Sequence, residues 1–191
     1  KTEIKLEGDR TIPVSIYAPW DIANAAFTLD TVQKYLPLLE SYFKCPYPLP
    51  KLDFVLLPYL SDMAMENFGM ITIQLNHLLI PPNESVREQA QQLIVHELVH
   101  QWMGNYISFD SWESLWFNES FATWLACHIL EQNGDLSHYW TSEPYLLQQV
   151  EPTMCRDAAD VNGRSIFQIS QRNTGIDSQT SDIFDPEAYT K

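Results

Sequence analysis

Positive charge is scarce in this chain. Its 191 residues hold 11 Lys and Arg against 25 Asp and Glu, a formal net charge of −14. No basic stripe or cluster stands out, so nucleic acid is left without an electrostatic footprint. A surface this acidic most simply keeps a protein in solution, and it also suits peptides that carry a positive amino terminus. Cysteine is equally scarce: Cys45, Cys127 and Cys155 stand far apart, with no Cys-x-x-Cys pair. An odd count without metal-ligand spacing reads as free thiols in a reducing compartment, hence a cytoplasmic protein, with Cys127 a small core residue. No apolar run reaches membrane-spanning length and no signal peptide opens the chain. The first residues, Lys1-Thr2-Glu3, read as the middle of a longer protein. Internal repeats and low-complexity tracts are also lacking.

What is present is enough for one sizeable core: 45% of the residues are hydrophobic and 13% aromatic. Residues 1–18 alternate loosely around Pro13 and a turn at Gly8-Asp9, as one or two strands do. They are expected to be the end of a preceding β domain or the first strands of the same domain. Leu29, Val32, Leu36 and Leu39 have helical spacing over Leu29 to Phe43, with Pro37 a point for a kink. Leu52 to Leu57 and Met70 to Gln74 read as strands. Helical patterns follow at Glu88 to Val95 and Leu115 to Gln132, and another at Leu136 to Val150. The polar stretch Asp157 to Asp182 reads as loop. Strands first and helices later imply an α+β domain.

One constellation carries chemistry. His96, Glu97 and His100 lie in Val95-His96-Glu97-Leu98-Val99-His100, and Glu119 follows after a gap of 18 residues. Two histidines four apart on a helix point the same way, so both imidazoles can grip one zinc ion. The glutamate between them lies beside the metal, where it can take a proton from the attacking water. Two His and one Glu leave one position open, the pattern of a catalytic zinc site. The bland alternative is a helix face with two ordinary histidines. Context weighs against it. The lead-in Glu88 to Val95 has no Gly or Pro, which places the motif mid-helix, and Gly104-Asn105 is a natural stop. Glu119 shares a helix face with Leu115, Ala122 and Ala126, and a carboxylate on so apolar a face needs a partner. Trp112, Trp116 and Trp124 near that helix read as core aromatics, and His77, His128 and His138 as ordinary histidines.

Glu119 stands in Leu115-Trp116-Phe117-Asn118-Glu119-Ser120-Phe121-Ala122, and Met63-Ala64-Met65-Glu66-Asn67-Phe68-Gly69 lies upstream of the histidines. The order of these blocks resembles the zinc aminopeptidases of the aminopeptidase N and puromycin-sensitive type. The likeness runs from about Val14 to the last residues, and within the family the chain is read as a divergent fungal cytosolic, ribosome-associated member. The resemblance implies a thermolysin-like catalytic domain over residues 19–191, truncated at its C-terminal side, with one zinc ion on His96, His100 and Glu119. It makes Glu97 the catalytic proton shuttle. It assigns a hydroxyl donor for the developing oxyanion to Tyr189, in the final stretch from Ile183 to Lys191, a residue that nothing local marks out. It assigns Met63, Ala64, Met65, Glu66 and Asn67 to substrate binding, with Glu66 on the free α-amino group. That role makes physical sense, because a fixed carboxylate measuring from the amino terminus turns a hydrolase into an exopeptidase. The segment Ala64 to Asn67 could also pair with substrate backbone as a sheet edge.

Three positions depart from the family pattern. Met63 stands in place of a glycine that would let substrate backbone approach closely. Ser120 replaces the glycine after Glu119, and Ser114 an aspartate, though serine also serves as an N-cap. The expected activity is removal of amino-terminal residues from peptides by activated water. The alternative is a weak or inactive member that binds peptide or nascent-chain amino termini. A zinc endopeptidase is the third reading, which Glu66 argues against.

Overall fold

The computed structural model describes residues 1–20, 25–78, 84–110, 114–136 and 155. They divide into two compact units, Lys1–Ile107 and Ser108–Lys191.

The first unit is built on a five-stranded mixed sheet. Strands β1 (Thr2–Lys5), β2 (Thr11–Tyr17), β3 (Leu52–Leu57), β4 (Ala64–Met65) and β5 (Met70–Gln74) lie in the order β1-β2-β3-β5-β4. β1 and β2 form an antiparallel pair around a turn in which Gly8 takes φ 69°, as the Gly8-Asp9 reading requires. β2 and β3 are parallel, with Val14 opposite Leu52 and Tyr17 opposite Val55. A parallel pair needs a crossover, and helix α1 (Ala26–Phe43) supplies it. The first two strands thus belong to the same sheet as β3 and β5. The order is therefore not strands first and helices later: α1 is interleaved, and the fold is α+β with a βαβ unit inside it.

α1 begins at Ala26, three residues before the apolar spacing suggests, and runs through Pro37. It buries Val32, Tyr35, Leu36 and Leu39, and packs against α2 (Glu84–Val99). β3 buries Leu52, Phe54 and Leu56 on alternate positions, the period-2 signature of a strand with one buried face. Ile71 and Ile73 of β5, with Ile94, Val95 and Leu98 of α2, continue this core.

A buried carboxylate ties the unit together. Glu40, 1% exposed on α1, accepts hydrogen bonds from the Glu7 and Tyr47 backbone N–H groups, both at 2.8 Å, and from the Arg10 guanidinium. Arg10 also donates to the Tyr47 carbonyl at 3.0 Å. A charge buried this deeply is tolerable only with such full pairing. The network joins the β1–β2 turn, α1 and the segment leading into β3. Burial pushes the Tyr47 phenol well above its ordinary range, with Asp53 adding to the effect. Its hydroxyl donates to the Lys51 carbonyl at 3.1 Å.

In the second unit, α3 spans Leu115–Gln132 with Ser114 at its N-cap, where the serine makes no side-chain capping bond. Ala122, Leu125, Ala126, Ile129 and Leu130 are buried. Burial, then Glu131, pushes the Cys127 thiol up to about 12, as befits an inert core residue. Trp124 is 41% exposed, so it does not pack as the core aromatic expected of it among the described residues. It stacks on His128 at 5.1 Å, and His128 meets Gln132 at 3.0 Å. The helical piece expected after Leu136, the polar stretch from Asp157 to Asp182, Trp112, His138 and Tyr189 lie outside the described residues. No helix among the described residues is long and apolar enough to cross a membrane.

Candidate metal centre

The histidine pair sits at the C-terminal end of α2 rather than in its middle. The helix is regular to Val99, and His100 continues it by donating its backbone N–H to the His96 carbonyl at 3.2 Å. Gln101 and Trp102 then bond three residues back, to Leu98 and Val99, which tightens the winding. Gly104, with φ 99°, ends it, and the Asn105 N–H closes on the His100 carbonyl at 3.3 Å. The left-handed glycine and the six-to-one bond make this a Schellman-type end at the Gly104-Asn105 stop. Trp102 pins it from below. Its ring is fully buried, stacks on Phe43 at 5.3 Å, and donates Nε1–H to the Cys45 carbonyl at 2.9 Å.

This geometry orients the imidazoles. The His96 and His100 rings lie 4.6 Å apart, with their Nε2 atoms 3.0 Å from each other. His100 Nδ1 meets the Met103 carbonyl at 3.1 Å. A carbonyl can only accept, so Nδ1 is the donor, and in the neutral ring this leaves the Nε2 lone pair for a metal. Zinc-binding histidines are oriented by just such a bond from the second nitrogen. Two nitrogens on one tetrahedral zinc would stand about 3.3 Å apart, close to the spacing observed. Glu97, between the two histidines, is buried. In the second unit, Glu119 is buried on α3 beside Ala122, and Asn118 Nδ2 donates to Glu119 Oε1 at 3.1 Å.

The Met63–Asn67 block forms an edge of the first unit's sheet. The Gln74 N–H bonds to the Met63 carbonyl at 2.8 Å, and Ala64 and Met65 face Ile73 and Thr72. Met63 and Met65 therefore direct their backbone groups toward β5, and Ala64 directs its N–H and C=O away from it, to the open side. Asn67 Nδ2 donates to Thr72 Oγ1 at 3.2 Å. The Met63 side chain is 58% exposed. Asn67 and Met70 close a turn at 2.9 Å with Gly69 at φ 73°. The positive φ is what favours glycine here, and a Cβ would also stand 2.6 Å from Leu49 Cδ1, so that side chain would have to move.

One functional candidate escapes a reading of the motif alone. Gln101, fully buried, accepts the Gly69 N–H through Oε1 at 2.9 Å and donates through Nε2 to the Glu66 carbonyl at 3.1 Å. Asn105 Nδ2 donates to the same Glu66 carbonyl at 2.7 Å.

With this geometry in view, comparison with known proteins decides the family. Residues 27–191 match the peptidase family M1 domain. The chain belongs to peptidase family M1. Protein TMA108 of Saccharomyces cerevisiae is 97% identical across the whole of this chain, which corresponds to 21% of that protein. Aminopeptidase 2, mitochondrial, of the same yeast is 34% identical over 94% of this chain and 19% of its own length. Glutamyl aminopeptidase of Sus scrofa is 31% identical over 94% and 19%. The chain thus spans about a fifth of the length of these relatives. M1 membership agrees with the aminopeptidase resemblance and with the α+β fold.

Proposed function

We propose that this M1 chain carries the metal centre and the amine-recognition edge of a cytoplasmic zinc aminopeptidase. The observation that carries the proposal is the His96–His100 pair, whose Nε2 atoms converge at 3.0 Å while a carbonyl holds the second nitrogen of His100. The sequence motif supplies the ligands: His96 and His100 from the first unit, and Glu119, after a gap of 18 residues, from α3. The donor set, two imidazoles and a carboxylate, suits zinc with one position left open. When bound, zinc supplies a Lewis acid that activates water and steadies negative charge on a peptide carbonyl.

The chain's own residues do the rest. Glu97 takes a proton from the attacking water and passes it to the leaving amine. Glu66 pairs with the substrate's ammonium group, so an internal peptide bond leaves that charge unmatched. Ala64 offers its outward N–H and C=O to the substrate backbone as a further strand. Tyr189, by resemblance, donates to the oxyanion. The free thiols Cys45, Cys127 and Cys155 support a reducing compartment.

The exposed Met63 favours a second reading. A flexible apolar side chain stands at the start of the edge strand, where the resemblance has glycine. It narrows the approach of the first substrate residue. In that reading the protein holds the amino termini of peptides or nascent chains and turns them over slowly or not at all. Both readings require the metal. Elemental analysis of the full-length protein, purified without chelator, is expected to give one zinc per chain. Zinc-free protein would overturn both.

A further inference from the structure

We infer that Gln101 is a positioning residue that sets where Glu66 stands relative to the histidine pair. The inference rests on the reading of Glu66 as amine anchor. Gln101 directly follows His100, so its backbone is fixed by the turn that fixes the imidazole. Its carboxamide reaches across to two points of the Glu66–Gly69 segment, the Glu66 carbonyl at 3.1 Å and the Gly69 N–H at 2.9 Å. A third contact, Nε2 to the Glu97 carbonyl at 3.4 Å, ties the same group back to its own helix. Asn105 adds a second donor to the Glu66 carbonyl.

The chemistry is specific to glutamine. One end must accept from an N–H while the other donates to carbonyls. Glutamate cannot donate, and it would set a negative charge against two carbonyl oxygens. Methionine keeps the volume and loses every bond. The cap also ends the open edge. Ala64 turns its carbonyl away from β5, and the Glu66 carbonyl, just past the end of β4, is turned to Gln101 and Asn105. Gln101 and Asn105 occupy the Glu66 carbonyl and leave the groups of Ala64 as the part of the β4 edge that faces outward. A substrate strand is thereby held to one register, with its amino terminus at Glu66.

The test uses full-length protein in four forms: wild type, Glu66→Ala, Gln101→Met and the double variant. Binding of a free-amino peptide and of its acetylated form is measured, together with zinc content and hydrogen exchange. Gln101→Met is expected to keep its zinc and to lose at least tenfold of the preference for the free amine. In the double variant the preference should fall no further than in Glu66→Ala alone. Amide exchange of residues 64–70 should rise at least tenfold, with β3 unchanged. If wild type and Glu66→Ala show the same preference, the amine-anchor reading fails, and the exchange result still judges the positioning claim. Unchanged exchange at residues 64–70, or a full preference retained in Gln101→Met while Glu66→Ala loses it, would overturn the inference.

Discussion

Glu97→Gln is expected to leave zinc bound and to lower peptide turnover by about 10²- to 10⁴-fold, the usual contribution of a positioned general base. The amide has nearly the shape of the carboxylate but cannot accept the proton of the attacking water. Glu97 is buried one residue from His96, on a helix end held by Trp102 and Gly104, so the substitution should not disturb the imidazoles. The check is steady-state turnover with zinc content measured on the same preparation. Near-wild-type turnover in the zinc-loaded variant would falsify the proton-shuttle role. If the protein only holds peptides, the same change should barely alter peptide capture, which separates the two readings of the site.

The second large effect belongs to Glu66. Truncating one partner of an ion pair in a partly dry cleft costs roughly 2–4 kcal/mol, which is about 30- to 1,000-fold in affinity. Glu66→Ala should therefore weaken free-amino peptides by that factor and acetylated peptides little. The asymmetry is the point. A merely structural glutamate would weaken both alike, and equal losses would remove the amine anchor from the account. The surrounding backbone is built to survive the change, because the Glu66 carbonyl, not its side chain, carries the bonds from Gln101 and Asn105.

Much of this was legible in the sequence, for physical reasons that differ by element. β3 and β5 could be read because short β-branched and aromatic runs have few other uses, and α3 because its apolar periodicity runs unbroken from Leu115. The histidine pair was legible because four-residue spacing on a helix admits one geometry. Its place at the helix end was not, since the tightening after Val99 depends on Gly104 and on the buried Trp102. Nothing in the sequence around Glu40 marks it, and only the fold brings Arg10 and the Glu7 and Tyr47 amides to it. Gln101 was hidden for the same reason: its partners at Glu66 and Gly69 lie 35 and 32 residues away along the chain. Short-range pattern reveals donors that act within a turn, and it is blind to those that act across a sheet edge. The exposure of Trp124 also could not be read from periodicity, since aromatic density looks the same whether or not a face is covered.

The central claim, a zinc aminopeptidase that measures from the substrate's amino terminus, is tested most directly by one measurement on the full-length protein. An aminoacyl reporter with a free amine is compared with the same reporter blocked at the amine, each with and without a zinc chelator. The account predicts turnover of the free form, loss of that turnover on chelation, and no turnover of the blocked form. Equal turnover of both forms, or no turnover of either by zinc-loaded protein, would contradict it.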